Sequence, residues 1–198
     1  MKARVPSIEQ CYELLKRHNV PDHIVRHSEI VCNVAVFLTH ELNKKGEGLS
    51  ISEIRAAALL HDVTKMESIE KHQNHAKTGK EFLCKVGFPR IGEIVGEHVR
   101  IRKEHNSQPL SEEEIVNYSD KRVMHTDVVS IKERFSDIRK RYGFHSADKA
   151  VDSSRLDSLE YECNHLEEKI FSKLDFGPEE LLNLMEGALI GYESGEED

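Results

Sequence analysis

Twelve histidines in 198 residues pose the first question, because several stand where an amphipathic helix would place aliphatic side chains. His27 falls in the series Ile24, His27, Val31, Val34, Leu38, whose 3-4-3-4 spacing puts it on a core-facing stripe. His98 follows Ile91, Ile94 and Val95 on the same side of a helix. His61 and its neighbour Asp62 end the apolar run Ala56-Ala57-Ala58-Leu59-Leu60, whose small residues let neighbouring helices close in. Asp120 lies about 100° from Ser119 around a helix, nearer Val116 and Val123, and so faces partly inward. Imidazoles and carboxylates taken out of water need a compensating partner. A divalent metal ion would supply it, and a nitrogen and oxygen donor set without thiolate suits Fe, Mn, Co, Mg or Zn.

The elements that must position these groups are helices, and the chain reads as all-α. Ser7 caps a first helix that ends at Asn19-Val20-Pro21, and a second runs from about Asp22 until Gly46 and Gly48 break it. Ser50 with Glu53 forms a capping box for the third, which leads directly to His61-Asp62. A fourth spans about 74–85 and stops at Gly87; Pro89 starts a fifth that carries His98. Ser111 with Glu114 is another capping box, opening a helix expected to continue past Asp120 to about residue 142, where Gly143 ends it. Gly143 also divides the expected organisation, with a helical catalytic domain over 1–143 and a helical extension with an acidic tail over 144–198. In that extension Leu156, Leu159, Cys163, Leu166, Ile170 and Leu174 share one stripe, suited to packing on the domain or to a homodimer contact, and a short helix follows Pro178.

Composition narrows the class. With 38% apolar and 32% charged residues, interspersed, the chain can form an ordinary core. A net charge of -8 disfavours stable binding to nucleic acid or an anionic membrane. The basic runs at 100–103 and 139–141 are flanked by acids and read as solvated helix faces. Cys11, Cys32, Cys84 and Cys163 are widely spaced, with no C-x-x-C pair, and read as buried or semi-buried free thiols. No apolar run is long enough for a membrane span or a leader, so a cytoplasmic protein is expected.

Three segments in order, Val25-Arg26-His27-Ser28, Ala58-Leu59-Leu60-His61-Asp62-Val63-Thr64-Lys65 and Tyr118-Ser119-Asp120-Lys121, resemble the HD-domain metal-dependent phosphohydrolases. The resemblance lies within about residues 20–125 and rests on the ordered set H, HD, D. It implies an HD-domain-like helical bundle in which His27, His61, Asp62 and Asp120 bind one divalent cation. Histidines of the HD-x-x-K subgroup match His75, in His75-Ala76-Lys77-Thr78-Gly79, and His98, in Val95-Gly96-Glu97-His98. In two-metal members these hold a second ion with the aspartate of the HD pair bridging, here Asp62. His72, three residues before His75, competes with it for that role, and His75 is preferred. Thr64 replaces the glycine of the H-D-I-G-K form. Lys65 stands where a nucleotidase-like branch has glutamate, so that branch's catalytic acid does not carry over.

The activity this implies is hydrolysis of a phosphate ester or anhydride, with a nucleotide or related small molecule as substrate. Asp62 would be ligand and proton acceptor, and Lys65 would offset charge in the transition state. Arg100, Arg102 and Lys121 are candidates for holding phosphate or else plain surface cations; His105, His125 and His145 match no motif and read as surface or loop residues. Because metal binding needs neutral imidazoles, affinity and activity are expected to fall together below about pH 6.5. Two other classes compete: a non-catalytic HD-type regulatory or nucleotide-sensing module, and a di-iron oxygenase.

Overall fold

The computed structural model describes residues 4–101, 109–142 and 149–186. Helix α1 (Ile8–Arg17) starts from a complete capping box, Ser7 accepting from the Gln10 amide while the Gln10 side chain accepts from the Ser7 amide. The long α2 (Asp22–Lys44) buries Ile24, His27, Val31, Val34, Leu38 and Leu42 along one stripe. Helix α3 (Ile51–Leu60) is buried almost all round from Ala56 to Leu60, and it packs against α2, α6 and α7. Only half of its expected capping box forms. Ser50 accepts from the Glu53 amide at 3.4 Å, but the Glu53 carboxylate is taken instead by Arg90, whose Nε donates to it at 2.9 Å.

A turn over residues 61–64 leads into a short helix that the sequence reading lacked, α4 (Lys65–Glu70). Asn74 caps α5 (His75–Lys85), and Pro89 occupies the first turn of α6 (Pro89–Gly96). These two helices approach so closely that a Cβ on Gly92 would lie 2.8 Å from the Lys80 carbonyl oxygen and 3.1 Å from Cys84 Sγ. Helix α7 (Glu112–Lys121) has the expected Ser111–Glu114 capping box and is buried from Glu113 onward.

The helix expected to continue to residue 142 instead stops at Lys121. An antiparallel pair follows, β1 (Val123–Met124) with β2 (Asp127–Val128), and His125 turns it with a left-handed φ of 57°. A second helix then begins, α8 (Ile131–Tyr142), opened by Ser130 and Glu133. The Ser130 amide donates to the Glu133 carboxylate at 2.9 Å, and the Glu133 amide donates to Ser130 Oγ at 3.2 Å. Ser130-Ile131-Lys132-Glu133 is thus a start signal that the helical spacing of the preceding apolar residues obscured. Among the described residues, two strands of two residues each leave the class all-helical. Gly143, His105, His145, Arg102 and the acidic end lie outside the described residues.

Helix α9 (Lys149–Phe171) places Cys163, Leu166 and Ile170 in the core, so this half of the stripe is filled by the chain itself. Polar ties reinforce the seat. Tyr118 Oη donates to Glu167 at 2.6 Å, Lys169 to Glu114 at 2.7 Å and Lys173 to Glu47 at 2.7 Å. A helical turn over 181–186 adds Leu181 and Met185. Leu38, Leu42, Ile54, Leu60, Ile91, Ile94 and Ile115 are fully buried, each contributing about 1.5–3 kcal/mol relative to exposure.

The four cysteines are free. Burial pushes the Cys11 thiol up to about 12 and those of Cys32 and Cys163 to about 11, which makes them poor nucleophiles. Cys84, by contrast with the expectation, is exposed. Among the described residues no helix is long and apolar enough to cross a membrane.

Candidate metal centre

Six side chains from five helices and their ends converge. His27 comes from the first turns of α2, His61 and Asp62 from the end of α3, His75 from the first residue of α5, and Asp120 from the last turn of α7. His98 arrives differently from its expected helical face. Helix α6 ends at Gly96, and His98 lies in the bend beyond it, yet it is buried.

Two triads result, His27 with His61 and Asp120, and Asp62 with His75 and His98, each with donor atoms within 4.8 Å of one another. In the first, Asp120 Oδ1 lies 3.2 Å from His27 Nε2 and 3.5 Å from His61 Nε2. In the second, Asp62 Oδ1 lies 3.6 Å from His75 Nε2 and 3.7 Å from His98 Nε2. The other oxygen of Asp62, Oδ2, is 3.3 Å from His61 Nε2, so this carboxylate faces both triads. Two donors each about 2.1 Å from a common ion stand about 3.0–3.4 Å apart, close to these separations.

Main-chain carbonyls aim three of the rings. His61 Nδ1 meets the Ala58 carbonyl at 2.8 Å, His98 Nδ1 that of Val95 at 2.7 Å and His27 Nδ1 that of His125 at 2.9 Å. A proton on Nδ1 donated to each carbonyl turns Nε2 toward the centre as the free donor atom. His61 Nε2, His98 Nε2 and Asp62 Oδ1 are buried and have no hydrogen-bond partner. Buried polar atoms are normally paired. Three such orphans converging in a set of nitrogen and oxygen donors fit a divalent cation, so the residues present suit the group that the sequence implies.

Opposite charges face one another within the centre. Burial opposes ionisation of Asp62 and Asp120, but His61 and Lys65 beside the first, and Lys121, His27 and His61 beside the second, hold both well below the ordinary carboxylate range. Burial likewise opposes a charge on His61, yet Asp62 and Asp120 outweigh it and lift its pKa to about 10; a bound cation would take that proton's place. Burial lowers His75, and burial together with His61 and His75 drives His98 well below the ordinary histidine value.

Lys65 Nζ donates to Asp62 Oδ2 at 2.6 Å, and its side chain is 33% exposed, so it links the buried carboxylate to solvent. Burial opposes its charge, Asp62 and Asp120 raise its pKa, and Arg134 pulls the other way. Thr64, at the glycine position of the resembling motif, has φ of -105°, which needs no glycine. Its hydroxyl lies 2.8 Å from Thr78 Oγ1 and 3.2 Å from the His75 carbonyl, fastening the start of α5 to the HD turn.

The rival residues fall elsewhere. His72 is exposed, with φ of 51°, and belongs to neither triad. Lys121 is no surface cation free for phosphate: it is buried, and its ammonium donates to Asp120 Oδ2 at 2.8 Å and to the His98 carbonyl at 2.7 Å. Arg100 is paired with Glu162 at 2.5 Å. Sequence reasoning missed Asn117, whose amide donates to the carbonyls of Glu97 at 2.9 Å and His98 at 2.8 Å. A buried asparagine between Val116 and Tyr118 was the available signal. His125, read as a surface or loop histidine, is indeed exposed in a turn, and it contributes through its backbone carbonyl instead.

This helical bundle with its paired His/Asp triads defines the class. The HD domain family model matches residues 24–175, and the chain belongs to that family. The match extends beyond the motif region into α9 and the turn that follows it. No curated protein and no solved structure matches the chain.

Proposed function

We propose that the chain is a divalent-metal-dependent phosphohydrolase acting on a phosphate ester or anhydride of a small molecule, a nucleotide or a related compound. The observation that carries this reading is the Asp62 carboxylate, which directs one oxygen at His61 and the other at His75 and His98, amid buried donor atoms that lack partners. His27, His61, Asp62 and Asp120 would hold one cation, and His75 and His98 a second shared through Asp62. A bound divalent ion supplies Lewis acidity toward a phosphoryl oxygen and brings the pKa of water toward about 7.

The chain's own groups do the rest. Asp62, kept ionised by its neighbours, joins the two donor sets and would orient the attacking water by accepting a hydrogen bond from it. Lys65, partly exposed beside Asp62, offsets negative charge gathering on the phosphoryl oxygens. Main-chain acceptors fix the rings before substrate arrives, so little reorganisation is needed.

The test is elemental analysis of protein purified without chelator, with a phosphate-release screen over nucleotides and simple phosphate esters. One or two divalent ions per chain and phosphate release are expected. Asp62→Ala should weaken metal binding by more than the roughly 10–100-fold that outer-shell partners are worth, and abolish turnover. Bound iron with oxygen uptake and no phosphate release would replace this reading with an oxygenase. The absence of any bindable cation would leave a regulatory module.

A further inference from the structure

Carbonyls aim the rings of His27, His61 and His98, whereas His75 is the most exposed of the four clustered imidazoles, its side chain 28% accessible. What is held at this residue is its backbone. Thr64 Oγ1 and Thr78 Oγ1 each lie 3.2 Å from the His75 carbonyl oxygen and 2.8 Å from one another, and Ser68 Oγ lies 2.7 Å from Thr78 Oγ1. Each hydroxyl has one proton to donate. The three are used up when Ser68 donates to Thr78, one threonine donates to the other, and the remaining proton goes to the His75 carbonyl. Thr78 belongs to α5, as His75 does, so Thr64 and Ser68 are the two that reach across to that helix. Thr64 is the N-cap of α4, yet its side chain makes no cap hydrogen bond there. A threonine at that position ordinarily caps its own helix. Here the hydroxyl is spent on α5 instead, and it is buried, where leaving it unpaired would be costly. The helices meet closely at this point, since a Cβ on Gly79 would lie 3.0 Å from Val95 Cγ1 and 3.6 Å from Thr64 Oγ1.

We propose that Thr64 is a positioning residue for the second cation, its hydroxyl holding the start of α5 so that His75 meets Asp62 and His98. Thr64 stands two residues after Asp62, so one turn of chain carries both the shared carboxylate and the hydroxyl that brings His75 to it. A glycine at this position would offer no such hold. The inference deepens the proposed metal centre and rests on its two-ion form.

The test is calorimetric titration of the full chain, stripped of metal with chelator, with Mn²⁺ alone, read beside thermal unfolding. The wild type should take up two ions in separable steps, and His75→Ala, which deletes a ligand of the second, identifies that step. Thr64→Val keeps the shape of the side chain and removes the hydroxyl. It should weaken the His75-dependent step by about 10-fold, the lower end for outer-shell partners, and leave the other step unchanged. Thr64→Ser should restore the affinity. Ser68→Ala, which removes the other crossing hydroxyl, should weaken the same step by a smaller factor, so that a poorly folded Thr64→Val protein does not decide the matter. Wild-type affinity at both steps in folded Thr64→Val, equal weakening of both steps, or no recovery in Thr64→Ser overturns the proposal. A wild type that binds a single ion also overturns it, while phosphate release by that protein would keep the phosphohydrolase reading. Two ions with the expected losses but no phosphate release would keep the positioning role and end that reading.

Discussion

The buried Lys121 ammonium donates to the backbone carbonyl of His98 at 2.7 Å, tying the last turn of α7 to the bend that follows α6. Because the same ammonium bonds Asp120 at 2.8 Å, one side chain steadies a member of each triad. Lys121→Met keeps the aliphatic stem and deletes the charge, leaving a buried carboxylate short of its cation. The expected cost is about 3–5 kcal/mol, with weaker uptake at both triads. Thermal unfolding and metal titration check this; a Tm within about 2 °C of wild type would show the ammonium to be dispensable.

Gly92 marks the tightest approach of α5 to α6, where a Cβ would lie 2.8 Å from the Lys80 carbonyl, a backbone atom with little room to yield. Gly92→Ala should therefore push the helices apart at a cost of about 1–3 kcal/mol. His75 begins α5 and His98 follows α6, so their triad should lose metal before the triad of His27, His61 and Asp120 does. Elemental analysis at limiting metal reads the difference. Equal loss from both triads would contradict it.

Protonation gives the metal-free protein a stability optimum near neutral pH. His75 and His98 are held below the unfolded histidine value of about 6.5, so below that pH the unfolded chain binds protons the folded one refuses, and stability falls. Asp62 and Asp120 are depressed, and their contribution, full above about pH 4, is lost as pH falls further. His61 acts in the other direction: with a folded pKa of about 10, its contribution is full below about 6.5 and is lost as pH rises through 10. Unfolding temperatures of chelated protein across this range test the pattern. A rise in Tm between pH 6.5 and 5 would refute it.

The centre was legible where a polar residue interrupted an aliphatic stripe, as at His27, or closed an apolar run, as at His61-Asp62. His75 was legible only through family likeness, because a residue at the first position of a helix lies on no stripe of its own. His98 was expected to face inward by helical phase, but α6 ends two residues earlier and the bend does the turning. The stop at Lys121 was hidden because a two-residue strand is too short to show alternation, and no glycine announces the left-handed turn at His125. The partner of Glu53 was hidden for another reason: Arg90 is distant in sequence, and local pattern reports only local partners.

The carbonyls that orient the rings differ in origin. His61 and His98 each use the residue three positions earlier, so those two are aimed by their own turn of backbone, whereas His27 leans on residue 125, far along the chain. Of these three rings, two are thus self-sufficient and one is borrowed. Loosening the hairpin would swing a single ligand out of line while the other two kept their bearing.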